Sequence, residues 1–491
     1  MDAKTLAARA WDWVKTHKIF VAWVVGFLLI ADMIAHDSAD NGGHPPGWGV
    51  GFVLAALIMG AMTFLFFWVR GNRAPDREHV RGARVVETRE LAKLTRKNGA
   101  GSRSIRIGGV PIPQSIEPQH FLLSGAPGTG KSVTLGAMLA AIRERGERCI
   151  VVDPAGEFRA KFERPGDKML NPYRGAGDWS PFSEMSGPWD AERLARSIIP
   201  DRPGEPNSEW QHYAQQLVAA VLGVCQQSGR GYNQDLLNYL VHSDSESLGV
   251  AIGAHPASQI FSKDAGRMAA SVRAIVGTYL SPYAHLDPSA GASSFSIQKW
   301  VREGSGWLWL PFTGTQRDSL KTLIASWLDV AIAGLMDLPP DRDRRVWIFC
   351  DELPSLGRIQ SIQKLTAECR KFGGVAVGGV QSMSQLREVY GRDGAQSLLA
   401  TFGSWLTLRA GDSETAEYLS RHIGEAEIKR TTQSGHTSTG NNSEGWSQQV
   451  AREAAVMPSQ LMSLPDLAGY LSLAGDYPTA KVRIELPGKR R

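Results

Sequence analysis

Gly125, Ala126, Pro127, Gly128, Thr129, Gly130, Lys131 and Ser132 fit the pattern GxxxxGK[ST]. Glycines in such a loop let the backbone fold so that successive N–H groups converge on phosphate oxygens. A helix opening at Lys131 adds its positive dipole end. Lys131 can then reach the β- and γ-phosphates of a nucleotide, and Ser132 can offer its hydroxyl to Mg²⁺. An ordinary glycine turn would need neither the lysine nor a strand before the loop and a helix after it.

A second pattern is an apolar run, Val346 to Cys350, that ends in Asp351 and Glu352. At the end of a strand beside the loop, Asp351 would hold the metal and Glu352 would orient and deprotonate an attacking water. Asp-Glu after an apolar run is common, so the pair gains its meaning from the loop. Asp153, after another apolar run, is a rival metal ligand for which a supporting role is preferred. The plain alternative is a turn or helix-capping aspartate before Pro154. Gln381 closes the run Val375 to Val380, where a neutral amide can sense a γ-phosphate. Arginines from a neighbouring subunit complete many such sites. Arg370 and Arg409 are the candidates, though most arginines are surface charges.

These residues need a scaffold that brings strand ends together. His120 to Ser124 reads as a strand, Ser132 to Arg145 as a helix, and Cys149 to Val152 as a buried strand, which is a βαβ unit. From Trp179 to about Ser289 no strand is expected. Trp210, Tyr213, Leu217, Val221 and Val224 recur at helical spacing, as do Met268, Val272, Ile275 and Tyr279. Alternation then resumes. Trp307 to Leu310, Val346 to Cys350, Val375 to Val380, Ser404 to Arg409 and Leu471 to Ala474 read as strands. Leu320 to Leu335 and Gln360 to Phe372 read as helices. The expected fold is α/β: a RecA-like P-loop nucleotide-binding domain over 73–177 and 290–491, interrupted by an all-α domain over 178–289. Residues 70–104 read as a linker. Thr431 to Gln449 is rich in Ser, Thr, Gly, Asn and Gln and reads as a mobile loop.

Residues 1–72 are different in kind. Apolar segments cover about 19–35 and 48–69. The second would run about 33 Å as a helix, enough to cross a bilayer core. The linker between them carries no Lys or Arg, whereas Lys15, Lys18, Arg70 and Arg73 flank the pair. A two-helix transmembrane hairpin with both ends in the cytoplasm is expected. Asp32 would sit at the membrane interface. A second span and no small-residue cleavage site argue against a signal peptide.

Over the 491 residues the formal net charge is +5. This permits contact with nucleic acid or anionic lipid and requires neither. Cys149, Cys225, Cys350 and Cys369 form no CxxC pair, which argues against zinc and against a disulfide framework. A reducing compartment is expected for the main body.

Taken in order, the sequence resembles the TraD/TrwB coupling proteins of type IV secretion and bacterial conjugation, relatives of the FtsK/HerA pumping ATPases. The resemblance rests on the N-terminal spans, the loop at 125–132, Val152 to Phe158, the all-α insertion, Phe349 to Pro354, Arg370 to Gly373 and Gly379 to Ser382. It implies a homohexameric ring at the bacterial inner membrane. It implies ATP and Mg²⁺ as ligands, DNA gripped without base specificity, and contact with a relaxase and with type IV secretion inner-membrane components. Lys131, Ser132, Asp351 and Glu352 would take the catalytic and metal roles, Gln381 the sensor role, and Arg370 the trans-acting arginine role. The long acidic tail some members use for docking has no counterpart, so that docking mode is not expected. Two other readings stay open: an FtsK-like DNA pump outside conjugation, and a receptor for protein substrates whose hydrolysis serves gating.

Overall fold

The computed structural model describes residues 77–486, apart from 176, 202–207, 254, 263–264, 360 and 439–440. The expected membrane hairpin, with Asp32, lies outside the described residues. So does the stretch 487–491.

The strands in chain order are β1 (Arg77–Gly82), β2 (Val85–Glu87), β3 (Arg106–Ile107), β4 (Val110–Pro111), β5 (Phe121–Ser124), β6 (Arg148–Pro154), β7 (Lys168–Met169) and β8 (Trp307–Phe312). They continue with β9 (Val346–Cys350), β10 (Gly374–Val380), β11 (Ser404–Thr407), β12 (Glu425–Ser438), β13 (Asn441–Ala454), β14 (Ala468–Ser472) and β15 (Thr479–Arg483). The helices used below are α1 (Thr88–Lys97), α2 (Lys131–Arg145), α3 (Glu157–Phe162), α4 (Trp189–Ile198), α5 (Ser208–Gln227), α6 (Gly266–Leu280), α7 (Arg317–Met336) and α8 (Ile362–Glu368).

Ten strands form one sheet in the order β2-β15-β14-β11-β5-β10-β9-β6-β8-β7. From β11 to β7 every neighbouring pair is parallel; β14 pairs antiparallel with β11 and with β15. Parallel strands need covered crossovers, so both faces of this sheet are buried. The side chains divide accordingly. Phe121, Leu123, Cys149, Val151, Trp347 and Phe349 pack on one face with Leu135, Met138 and Leu139 of α2. Leu122, Ile150, Val152, Ile348 and Cys350 pack on the other with α7 and the helical segment that includes α4, α5 and α6. Strand periodicity of two puts alternate residues into opposite cores. This explains why these runs are apolar throughout rather than alternating.

Helix α7 is long and apolar enough to cross a membrane by composition, but most of it is buried here as a core helix. All four cysteines are buried and free.

Two expectations are corrected. The stretch 70–104 is not merely a linker where it is described: it contains β1, β2 and α1. In α1 only Leu91, Ala92 and Thr95 are buried, a stripe too thin to stand out among charged neighbours. The polar stretch Thr431–Gln449 is not a loop either. β12 and β13 pair antiparallel from Glu425 with Ala454 to Ser438 with Asn441, and β1 adds a third strand. Backbone pairing carries this ribbon, and the apolar alternation that signals a strand is missing because β1, β12 and β13 form a sheet of their own, apart from the ten-stranded one and its two cores.

Candidate nucleotide site

The parallel strands fix where chemistry can occur. β5, β9, β10 and β11 all end at the same edge of the sheet. The phosphate loop leaves β5 there and runs into α2, whose first residue is Lys131. The loop is anchored through its backbone: Gly125 N donates to Val380 O at 3.1 Å, and Ala126 N to Arg409 O at 2.8 Å. Thr129 turns its hydroxyl inward to Ala126 O at 2.7 Å. Gly130, at φ 114°, makes the final turn that starts the helix, a conformation open to glycine at little cost.

Asp351 and Glu352 follow β9 directly and meet the start of α2. Lys131 Nζ donates to Glu352 Oε2 at 3.2 Å. Ser132 Oγ donates to Asp351 Oδ2 at 3.5 Å. Gln381, after β10, lies close enough to Glu352 to pull its carboxyl downward. Burial pushes the Asp351 carboxyl upward, and the Lys131 charge and the Ser132 hydroxyl pull it back. Glu352 is likewise raised by burial, against the pull of Lys131 and Gln381. Both carboxylates keep one buried oxygen without a hydrogen-bond partner, Asp351 Oδ1 and Glu352 Oε1. Buried oxygens are rarely left unpaired. Here the two sit beside the exposed Ser132 hydroxyl, and this set of oxygens fits a hard divalent cation and a water.

Gly379 is what allows this closeness. A Cβ there would collide with the Asp351 carbonyl oxygen and lie 3.2 Å from Lys131 Cδ. Gly379→Ala is therefore expected to push β10 from β9 at the catalytic edge. Overpacking of this kind costs about 1–3 kcal/mol of stability. A misplacement near 1 Å can cost about 100-fold in rate. Urea denaturation and steady-state hydrolysis measure the two effects.

Asp153 does not join the constellation as a ligand. Its Oδ1 accepts from Phe158 N at 3.2 Å and Oδ2 from Arg159 N at 2.7 Å, so it caps α3. Arg370 lies before β10, at the sheet edge opposite Lys131, and is exposed. In its own chain it is separated from the phosphate loop by the length of β10. Arg409 lies at the loop itself and pairs with Asp466, Nη2 to Oδ1 at 2.9 Å. Sequence reasoning missed Asp466 and Leu467, whose N–H donates to Thr129 O at 3.0 Å.

Residues 104–485 match the family model for the type IV secretion-system coupling protein DNA-binding domain. The chain belongs to the type IV secretion-system coupling protein family. Among coupling proteins, TraD of Escherichia coli (strain K12) is 29% identical over 96% of this chain and 68% of its own length. The unbound conjugative coupling protein TrwBdeltaN70 has the same fold, with a TM-score of 0.77, 32% identity, and coverage of 85% of this chain and 96% of its own. A TrwB structure in complex with ADP and Mg²⁺ matches with a TM-score of 0.76 and 32% identity over 85% of this chain and 97% of its own. The coupling-protein core thus presents a P-loop α/β fold whose loop, carboxylates and glutamine converge on one edge.

Proposed function

We propose that this coupling protein is an ATPase that drives DNA through a homohexameric ring toward a type IV secretion channel, with Mg²⁺ as cofactor. The observation that carries the hydrolytic part is the meeting of Lys131 with Glu352 and of Ser132 with Asp351. Loop N–H groups and Lys131 bind the β- and γ-phosphates. Ser132 and Asp351 hold Mg²⁺, which when bound screens the phosphate charge. Glu352 Oε1 orients a water and takes its proton. Gln381, beside Glu352, carries the state of the γ-phosphate to the segment after β10. Arg370, far from its own loop, serves the neighbouring subunit's site.

The same reading assigns 1–72 to a membrane hairpin, 178–289 to an all-α domain, and the remainder to the motor domain. A relaxase-bound strand and inner-membrane secretion components are the partners. The motor would grip phosphates rather than bases, because a pump must accept any sequence.

The full chain in detergent is to be assayed for ATP hydrolysis alone, with single-stranded DNA and with duplex DNA. Stimulation by DNA, and reduction to background in Lys131→Ala with loss of conjugative transfer, are expected. Hydrolysis that ignores both DNA forms, with transfer intact in Lys131→Ala, would favour a docking receptor and overturn the motor.

A further inference from the structure

Around the phosphate loop the sheet order is β9, β10, β5, β11, β14. Asp351, Glu352 and Gln381 follow β9 and β10, so the catalytic groups lie on one side of β5. On the other side, Arg409 follows β11, and Asp466 and Leu467 precede β14. These three residues have no part in the chemistry described above, yet each touches the loop or a residue that does.

Leu467 is held at φ 62°, a left-handed conformation that non-glycine residues rarely adopt. Its N–H is bonded to Thr129 O, and its carbonyl accepts from Ile484 N at 2.7 Å. A Cβ on Gly130 would lie 2.9 Å from Leu467 Cδ2, so the side chain rests against the loop. Strain of this kind persists only where the surroundings fix it, and it clusters at ligand clamps. The Arg409–Asp466 pair is exposed, at 35% and 59%. Ion pairs so exposed contribute little to stability, so stability alone does not account for this pair at the rim of the site.

A nucleoside triphosphate has a direction. With its γ-phosphate at Glu352 and its phosphates along the loop, the sugar and base leave on the side away from β10, which is the side of Arg409. We propose that Arg409, positioned by Asp466, holds the nucleoside end of the bound nucleotide, its guanidinium plane lying against the purine face. A guanidinium stacks on flat rings, whereas an ammonium lacks that planar surface. Leu467 closes the apolar floor beneath. Arg409 is then a binding residue of its own subunit, distinct from a trans-acting arginine. The inference rests on the ATP site described under Proposed function.

The test compares ADP with inorganic tripolyphosphate as inhibitors of ATP hydrolysis by the full chain. Only ADP has a nucleoside for Arg409 to hold. Arg409→Ala is expected to raise KM for ATP and Ki for ADP by about tenfold, the range of a partly desolvated cation–π contact. The Ki for tripolyphosphate stays at the wild-type value, and the loss falls on KM rather than on kcat. Asp466→Asn moves the same two constants less. If Arg409→Ala melts early, Arg409→Met keeps the stem packing and takes its place. Equal losses for ADP and tripolyphosphate would put Arg409 on the phosphates and overturn the proposal. So would a fall in kcat alone, or no change at all. Hydrolysis that survives Lys131→Ala would instead overturn the underlying ATP-site reading, which separates the two failures.

Discussion

Glutamine in place of Glu352 is expected to lower kcat for ATP hydrolysis by about 10²–10⁴ while ATP still binds. The reason lies in how its two oxygens are used. Oε2 is held by Lys131 at 3.2 Å. Oε1 is buried and has no protein partner. A water can therefore meet Oε1 while Oε2 keeps the side chain in place. Glutamine has nearly the same shape and can keep a contact with Lys131, but its amide accepts no proton. Binding should persist because the loop N–H groups and Lys131 are untouched. Steady-state hydrolysis and equilibrium binding of a fluorescent ATP analogue separate the two. Wild-type turnover in Glu352→Gln would remove Glu352 as the base and leave it as a partner of Lys131. Asp351→Asn should behave differently, with a raised Mg²⁺ requirement, because that side chain faces Ser132.

The phosphate loop, the β9 carboxylates and the parallel strands were legible because each carries a local signature. Runs such as Cys149 to Val152 and Val346 to Cys350 are apolar at every position because both faces of the sheet are covered. The loop pattern fixes residue types at fixed spacing. By contrast, Asp466 and Leu467 reach Arg409 and Thr129 across long sequence separations, through one ion pair and one backbone bond. Neither contact constrains residue type enough to show in a single sequence. The residues of the β12–β13 ribbon read as a loop because strand signals are mostly signals of burial. Asp153 shows the opposite ambiguity. An aspartate after an apolar strand fits a metal ligand and a helix cap equally well, and only the two N–H groups of α3 decide for the cap.

At the far edge of the sheet, Glu117→Ala is expected to destabilise the chain by about 3–5 kcal/mol, as removal of one partner of a buried ion pair does. Glu117 is fully buried and accepts from Arg145 Nη1 at 2.6 Å and from Arg345 Nε at 3.3 Å. Arg145 ends α2, and Arg345 precedes β9. The carboxylate therefore ties the helix that carries Lys131 to the strand that carries Asp351, at the end away from the chemistry. Burial raises the Glu117 carboxyl above its usual range, despite the pull of Arg145. Desolvation thus outweighs attraction at Glu117, whereas attraction outweighs desolvation at Arg145. Removing Glu117 alone is costly because of what it leaves behind. Among the described residues, Arg345 would keep backbone carbonyls as partners, and Arg145 the Glu147 carboxylate and the Trp347 ring. Two arginines would share too little negative charge in a dry place. The sign of the effect then depends on what is removed together. Glu117→Leu combined with Arg345→Met should cost less than Glu117→Ala alone, because neither a buried carboxylate nor its second cation remains. Urea midpoints of the single and double variants measure this. A double variant less stable than the single one would mean that Arg345 stabilises the fold through its backbone partners even without Glu117. Nucleotide affinity at low temperature should change little in either variant, since the network clamps the scaffold and touches none of the groups that meet phosphate.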